Sequence, residues 1–199
     1  MLTRAHSLLG VVPLSAFVLL HLYVQSSARS GREPWIDAAV HHPLAGWPLW
    51  LLLAAFAAHA FLGALRFARE RRGPRDARGP AALAAIQAAT GLLALLFIFY
   101  HALSLGMFQS GPQHGVHAAY ARLWATLGRP GVLGAYLVGT AAVCLHLAHG
   151  WSRAAVVWGL ARTERAVLLW RLFAGAVGFG LFFLFVQLLS HFAVGQPLV

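Results

Sequence analysis

Four histidines interrupt four long apolar stretches of the chain: His21, His59, His101 and His146. A polar ring surrounded by hydrocarbon is costly unless it is bonded to something. An imidazole at such a place can satisfy a polar contact, relay a proton or ligate a metal through a neutral ring nitrogen. The function of the chain therefore depends on what these four rings bind.

The composition is that of an integral membrane protein. Of the 199 residues, 60% are hydrophobic and only 10% are charged, whereas soluble domains carry about 25% charge. The net charge of +10 comes from arginines that cluster between the apolar runs, as topology signals do. We therefore expect a lipid bilayer as the surroundings and no nucleic-acid partner.

Five apolar stretches are long enough to cross a bilayer, which takes about 20 residues for each helix. They are residues 7–26, 45–67, 81–107, 131–153 and 166–192. The run from Leu8 to Val24 follows Arg4 as in a signal peptide, but it is long for one and contains His21, so we expect a retained first helix. The prediction is an all-α integral membrane fold, with residues 1–199 as a single membrane domain.

The arginines predict the orientation. Eleven of them lie near the N-terminus, the loop 68–80 and the loop 154–165, which share one side of a five-helix protein, and four lie on the other side. The positive-inside rule then places the N-terminus in the cytoplasm and the C-terminus outside.

Depth sorts the four histidines into two pairs. At about 1.5 Å of rise per residue, His21 and His101 reach one level towards the outer face, and His59 and His146 reach another in the cytoplasmic half. Within each pair both helices run in the same direction, so they can face each other across a four-helix bundle. Two facing histidines form the axial site of a bis-histidine haem, and we predict that helices one to four surround two haems.

The haem propionates need cations, which the sequence supplies at the inner level. Arg66 follows His59 by seven residues, and Arg153 follows His146 by seven. Each arginine therefore lies on the face of its histidine, about 10 Å towards the cytoplasm. Arg29 and Gln109 are weaker candidates at the outer level.

The remaining histidines and the alternative of a transporter complete this interpretation. His6 is expected at the membrane edge, His149 lies three residues after His146 on a nearby surface, and His191 lacks a partner at its depth and is interpreted as interfacial.

A proton or metal transporter without haem is the alternative. It would be expected to carry carboxylates at mid-membrane, and the sequence has none there.

Short motifs around these histidines resemble the diheme cytochrome b membrane anchor of succinate:quinone oxidoreductases and fumarate reductases, the type with one five-helix subunit. The resemblance spans residues 4 to 159, and the order and spacing of its motifs make it specific. The motifs are Arg4-Ala-His-Ser-Leu-Leu-Gly10 with His21-Leu22, Phe56-Ala-Ala-His59-Ala-Phe-Leu-Gly63, Ile86-Gln-Ala-Ala-Thr-Gly91 with Tyr100-His101, and Leu145-His146-Leu-Ala-His-Gly150 with Trp158-Gly159.

The resemblance implies two b haems held by the same four histidines, with Ser7 and Gln87 at the propionates of the inner haem. It implies a flavoprotein and an iron–sulfur protein docked on the cytoplasmic face, a membrane quinone (menaquinone is expected) near the outer haem, and a multi-pass location in the bacterial inner membrane. The chain departs from some members at Cys144, where they carry a glutamate proposed for a proton path, and at Ala85, where they carry an aromatic residue.

The implied activity is electron transfer between the iron–sulfur subunit and quinone, as part of a succinate dehydrogenase of the respiratory chain and the tricarboxylic acid cycle. Dicarboxylate chemistry would lie on a partner subunit. Glu33 and Asp37 are the preferred proton donors at the quinone site, and His41, His42 and His114 are weaker ones. The alternative is a diheme cytochrome b of a nitrate reductase, formate dehydrogenase or hydrogenase.

Overall fold

The computed structural model describes residues 2–43, 47–72, 81–105 and 115–195. These segments contain seven α-helices and a short 3-10 turn, Ser27–Ser30, and no strand. The all-α prediction is therefore confirmed. The helices are α1 (Leu2–Ser26), α2 (Arg32–Val40), α3 (Trp47–Arg72), α4 (Ala81–Ser104), α5 (Val116–Leu127), α6 (Pro130–Val157) and α7 (Glu164–Val194).

Five of these helices, α1, α3, α4, α6 and α7, are long and apolar enough to cross a membrane. This confirms the five predicted spans. The helices run further than the apolar stretches at the arginine-rich end, where α3 continues to Arg72 and α6 to Val157. A helix satisfies its own backbone, so it can continue past the apolar core.

The short helices α2 and α5 form a cap over the opposite end of the bundle. Helix α2 packs against the 3-10 turn, α1 and α5, while α5 packs against α6 and α7. Helix α5 buries Leu123 and Leu127. Trp35 and Ile36 of α2 join the same cluster. Helices α2 and α5 therefore form a packed layer at this end.

Helix α6 lies at the centre of the bundle, in contact with α1, α4 and α7, while α3 packs on α1. Gly178 of α7 lets the two backbones approach, because a Cβ atom there would lie 2.8 Å from the Cβ of Ala148. Across the described segments, no comparably extensive packing joins α3 to α4, α3 to α6 or α1 to α4. The bundle is therefore loosely packed between α3 and α4.

Candidate functional site

The structure brings the four intramembrane histidines together in two pairs. The ring centroids of His21 (α1) and His101 (α4) are 5.9 Å apart, with an angle of 89° between the ring planes. Those of His59 (α3) and His146 (α6) are 6.0 Å apart, at 82°. Each pair joins two helices that do not pack extensively on each other. These are the pairs that helix direction and depth placed at common levels. After those predicted levels, His21 and His101 are called the outer pair, and His59 and His146 the inner pair.

The separation within each pair fits one metal ion between two imidazoles. A metal–imidazole bond is about 2 Å long, and the ring centre lies about 1 Å further, so two axial rings have centroids about 6 Å apart. Among the described residues, no group of three or more His, Cys, Asp or Glu side chains could hold an ion. The two histidines of each pair would supply the protein ligands of one haem iron.

Backbone carbonyls orient the rings of the inner pair. His59 Nδ1 donates to the carbonyl oxygen of His6 at 2.9 Å, and His146 Nδ1 donates to that of Gln87 at 3.2 Å. A carbonyl only accepts, so Nδ1 of each ring carries the hydrogen and Nε2 keeps its lone pair. Metal-ligating histidines are commonly oriented in this way.

The other two histidines near the inner pair, His6 and His149, make different contacts. The His6 ring stacks on the His59 ring with 4.1 Å between centroids, although the sequence suggested only a position at the membrane edge. His149 Nδ1 donates to the side-chain oxygen of Gln87 at 2.7 Å. His149 is therefore engaged with α4, which leaves His146 as the ring that faces His59.

Positive charge accumulates beside the inner pair. Arg66 Nη1 lies 3.5 Å from His6 Nδ1, and Arg153 lies within electrostatic range of both His6 and His149. None of the five acids of the chain falls within α1, α4 or α6. An anionic ligand would be stabilised here, as a haem with two propionates requires.

Ser7 lies on a different side of α1 from the inner pair. It lines a groove together with Trp151 and Trp158 of α6, whereas its neighbour His6 faces His59. Consecutive residues on a helix point about 100° apart, which separates the two. The structure thus places His6 and Gln87, rather than Ser7, against the inner histidines.

The outer pair has aromatic surroundings. Phe17 stacks on His21 with centroids 5.1 Å apart, and Phe97 lies 5.8 Å from His101. His101 Nδ1 is hydrogen-bonded to the hydroxyl of the buried Tyr136 at 3.1 Å, and that hydroxyl lies 3.3 Å from Ser104 Oγ. A hydroxyl from α6 therefore orients His101, as the carbonyls orient the inner rings.

Two glycines let the inner rings lie against neighbouring helices. A Cβ atom at Gly91 would lie 2.7 Å from Cε1 of His146, and one at Gly10 would overlap the His59 ring. Both glycines end motifs that the sequence singled out. Their role at the rings was not evident, because each belongs to a different helix from the histidine that it accommodates.

The predicted proton donors Glu33 and Asp37 lie on the exposed side of α2. Glu33 pairs with Arg32 at 3.0 Å, and Asp37 pairs with His41 at 3.2 Å, with exposed side chains in both pairs. The inward side of α2 carries Trp35 and Ile36 instead. The structure does not bring either acid to the outer histidine pair.

His42, a loop histidine, lies within electrostatic range of the outer pair. It is half-buried, it acts electrostatically on His21, and burial lowers the pKa of His42 below its ordinary value. Gln109 and His114, the other candidates on this side, lie outside the described residues. At the outer end of α7, His191 contacts Trp124 and Phe192, and its interfacial position stays a prediction.

Among curated proteins, the chain is similar to the succinate dehydrogenase cytochrome b558 subunit of Bacillus subtilis. The two sequences are 28% identical over 170 residues, which cover 82% of each chain. No protein-family model and no solved structure matches the chain. The similarity confirms the resemblance to the cytochrome b anchor of succinate:quinone oxidoreductases that the histidine motifs indicated.

Proposed function

We propose that the chain is the diheme cytochrome b anchor of a succinate:quinone oxidoreductase, which transfers electrons between an iron–sulfur partner and membrane quinone. The observation that carries this proposal is the pair of histidine sites, each with ring centroids about 6 Å apart. The similarity to a succinate dehydrogenase cytochrome b subunit supports the same conclusion.

The four histidines would hold the two haem irons, His59 with His146 at the inner site and His21 with His101 at the outer one. Bound b haem supplies one-electron redox chemistry at each site. The contribution of the chain is to fix the rings. Hydrogen bonds from Nδ1 of His59 and His146 to carbonyls leave the lone pair on Nε2. At His146, Nε2 lies 3.5 Å from the side-chain nitrogen of Gln87, which would give way to the metal.

The cations beside the inner pair would bind the propionates. Arg66 and Arg153 retain the role that their spacing predicted, and the environment of His6 supports it. Gln87 would act from α4, since its amide already joins the backbone of His146 to the ring of His149. Ser7 is the weakest member of this set, because it faces the groove beside Trp151.

The assembly around the chain follows from the same proposal. A flavoprotein and an iron–sulfur protein would dock at the arginine-rich end, which is cytoplasmic if the N-terminus is cytoplasmic, in a bacterial inner membrane. Quinone, with menaquinone expected, would be reduced near the outer pair. Glu33 and Asp37 remain proposed proton donors there, and His42 joins them because it lies within electrostatic range of His21.

Purification of the complex from its native membrane tests the function. We expect a b-type band in the reduced-minus-oxidised spectrum, two haems for each chain, and a flavoprotein and an iron–sulfur protein that co-purify. A molybdenum or nickel enzyme as the partner would instead support a nitrate reductase, formate dehydrogenase or hydrogenase cytochrome. The absence of haem from the intact complex would contradict both and support the transporter.

A further inference from the structure

A groove of about 460 Å³ lies at the turn between α6 and α7, at the arginine-rich end of the bundle. Its lining combines two arginines, Arg162 and Arg171, with aliphatic side chains that include Val156 and Leu168. It is separate from the two histidine pairs. A groove that is cationic on one side and aliphatic on the other matches a ligand with an anionic head and an apolar tail.

The turn itself positions Arg162. Its Nε donates to the carbonyl oxygen of Gly159 at 2.9 Å, and its guanidinium lies over the same residue, about 3.5 Å from where a Cβ atom would be. Gly159 has φ of +74°, which is a left-handed conformation that favours glycine. One nitrogen is used inside the turn, so the two terminal nitrogens remain as donors for a ligand.

The groove lies at the depth of lipid headgroups. Helix α7 has 31 residues, or about 46 Å at 1.5 Å per residue, so it exceeds a hydrocarbon core of about 30 Å by several turns. Arg171 lies seven residues into α7, or about 10 Å from its start, so its long side chain can extend back to the headgroup layer. Leu168 and Leu172, which lie before and after Arg171 in the same helix, are 55% and 61% exposed, so this face of α7 presents aliphatic side chains outward.

The net positive charge of the groove favours a ligand with an anionic headgroup. Glu164 is the one acid of its lining, against two arginines, and Arg165 adds a further cation in the same turn of α7. Guanidinium groups bind phosphate through paired hydrogen bonds, and basic pockets at the cytoplasmic side of membrane proteins bind anionic lipid headgroups.

We propose that this groove is a binding site for an anionic phospholipid. Arg162 and Arg171 bind the phosphate, and an acyl chain runs from Leu168 towards Leu172, away from the α6–α7 turn. A lipid is favoured over a docked protein because the aliphatic side of the groove continues into the lipid-facing row of α7. The site does not depend on the haems or on the nature of the redox partner.

Native mass spectrometry of the purified complex tests this proposal. The complex is stripped of lipid in detergent and then exposed to phosphatidylglycerol or phosphatidylcholine. We expect the unmodified protein to retain phosphatidylglycerol about tenfold more than phosphatidylcholine. A double Arg162→Gln/Arg171→Gln variant loses this preference, while the matched pair Arg29→Gln/Arg129→Gln, two exposed arginines at the opposite end, keeps it.

Controls separate the proposal from its competitors. Arg162→Lys/Arg171→Lys keeps the charge and is expected to keep most of the preference, and 10 mM inorganic phosphate, a concentration on the order of weak ion binding, is not expected to displace the lipid. Equal retention of the two lipids by the unmodified protein overturns the proposal even if the glutamine variant fails to assemble. So does a glutamine variant that retains phosphatidylglycerol but loses its partner subunits, since the groove would then be a protein interface.

Discussion

The inner and outer histidine pairs share one internal geometry and have opposite surroundings. Ring centroids are 6.0 Å apart in the inner pair and 5.9 Å apart in the outer pair. Arginines, His6 and an amide surround the inner pair, whereas Phe17, Phe97 and Tyr136 surround the outer pair. The two pairs therefore share a ring separation that would suit the proposed haem iron, and their surroundings distinguish them.

The hydrogen-bond acceptors differ in the same way. The inner rings donate to backbone carbonyls of His6 and Gln87, and no side-chain substitution removes a carbonyl. His101 is hydrogen-bonded to the hydroxyl of Tyr136, which one substitution removes. The orientation of the inner rings therefore depends on how helices pack, and that of His101 on a single side chain.

Among these substitutions, loss of a histidine ligand is expected to have the largest effect, because it should remove the haem of one pair and leave that of the other. His59→Ala and His21→Ala should each reduce the haem content from two to one for each chain, because one axial ligand is removed from one site. Haem quantification and the spectrum of the remaining b haem measure this. The control His191→Ala should keep two haems, and two haems in His59→Ala would show that the ligand set is wrong.

Substitution of the glycines is expected to damage only the inner pair. A Cβ atom at Gly10 or Gly91 meets the ring of His59 or His146, and such overpacking costs about 1–3 kcal/mol. We expect each alanine variant to lose inner haem and to unfold at a lower temperature. Gly175→Ala is the control, since open space surrounds that position. An unchanged inner haem in Gly91→Ala would contradict the observed packing.

Removal of positive charge is expected to lower the reduction potential of the inner haem. A cation close to a haem favours the form with the additional electron, so Arg66→Gln and Arg153→Gln each weaken that preference. A redox titration measures the shift, and Arg29→Gln is the control at the opposite end. A larger shift in the reduction potential of the outer haem would show that the two arginines lie closer to the outer site than to the inner one.

The Tyr136→Phe variant tests the acceptor of the outer pair. His101 loses its Nδ1 partner and becomes a less basic ligand, so the reduction potential of the outer haem should rise and its affinity should fall by about 10–100-fold. The inner haem should be unchanged. Tyr100→Phe is a matched control, since its ring contacts Tyr136 but its hydroxyl is not the acceptor of His101. Equal shifts at both haems would show a general loss of structure instead.

The smallest expected effect concerns His42. Burial lowers its pKa from the ordinary value of 6.5, so the unfolded chain binds the proton first as the pH falls. Its contribution to stability is constant above about pH 6.5 and is lost below it. As the pH decreases below 6.5, the melting temperature of the unmodified protein should therefore fall more than that of the His42→Asn variant. His41→Asn, at an exposed position, serves as the control, and a constant difference would argue against burial of His42.

The features that could be predicted are those that a single helix determines. The five spans followed from apolar length, and the pairing of His59 with His146 followed from direction and rise. The positions of Arg66 and Arg153 followed in the same way, because seven residues return to one face of a helix. Each prediction uses positions along one chain segment and needs no knowledge of how a helix is rotated against its neighbours.

The features that were missed depend on that rotation or on a distant partner. Ser7 and His6 are adjacent in sequence, and packing decides that His6 faces the inner pair. Tyr136 lies 35 residues from His101, with no local signal that connects them. The acids of α2 point outward because Trp35 and Ile36 occupy its buried side, an outcome that the sequence of the loop alone does not indicate.

The sequence by itself determined that the chain crosses a membrane five times, with a histidine of each of four helices at one of two depths. Helix geometry and the cost of polar groups in hydrocarbon are sufficient for this. Only the tertiary structure decided which groups contact those histidines: carbonyls and arginines at the inner pair, aromatic rings and a hydroxyl at the outer pair. The physical reason is that rise along a helix is fixed by its own hydrogen bonds, whereas its rotation is fixed by packing against other helices.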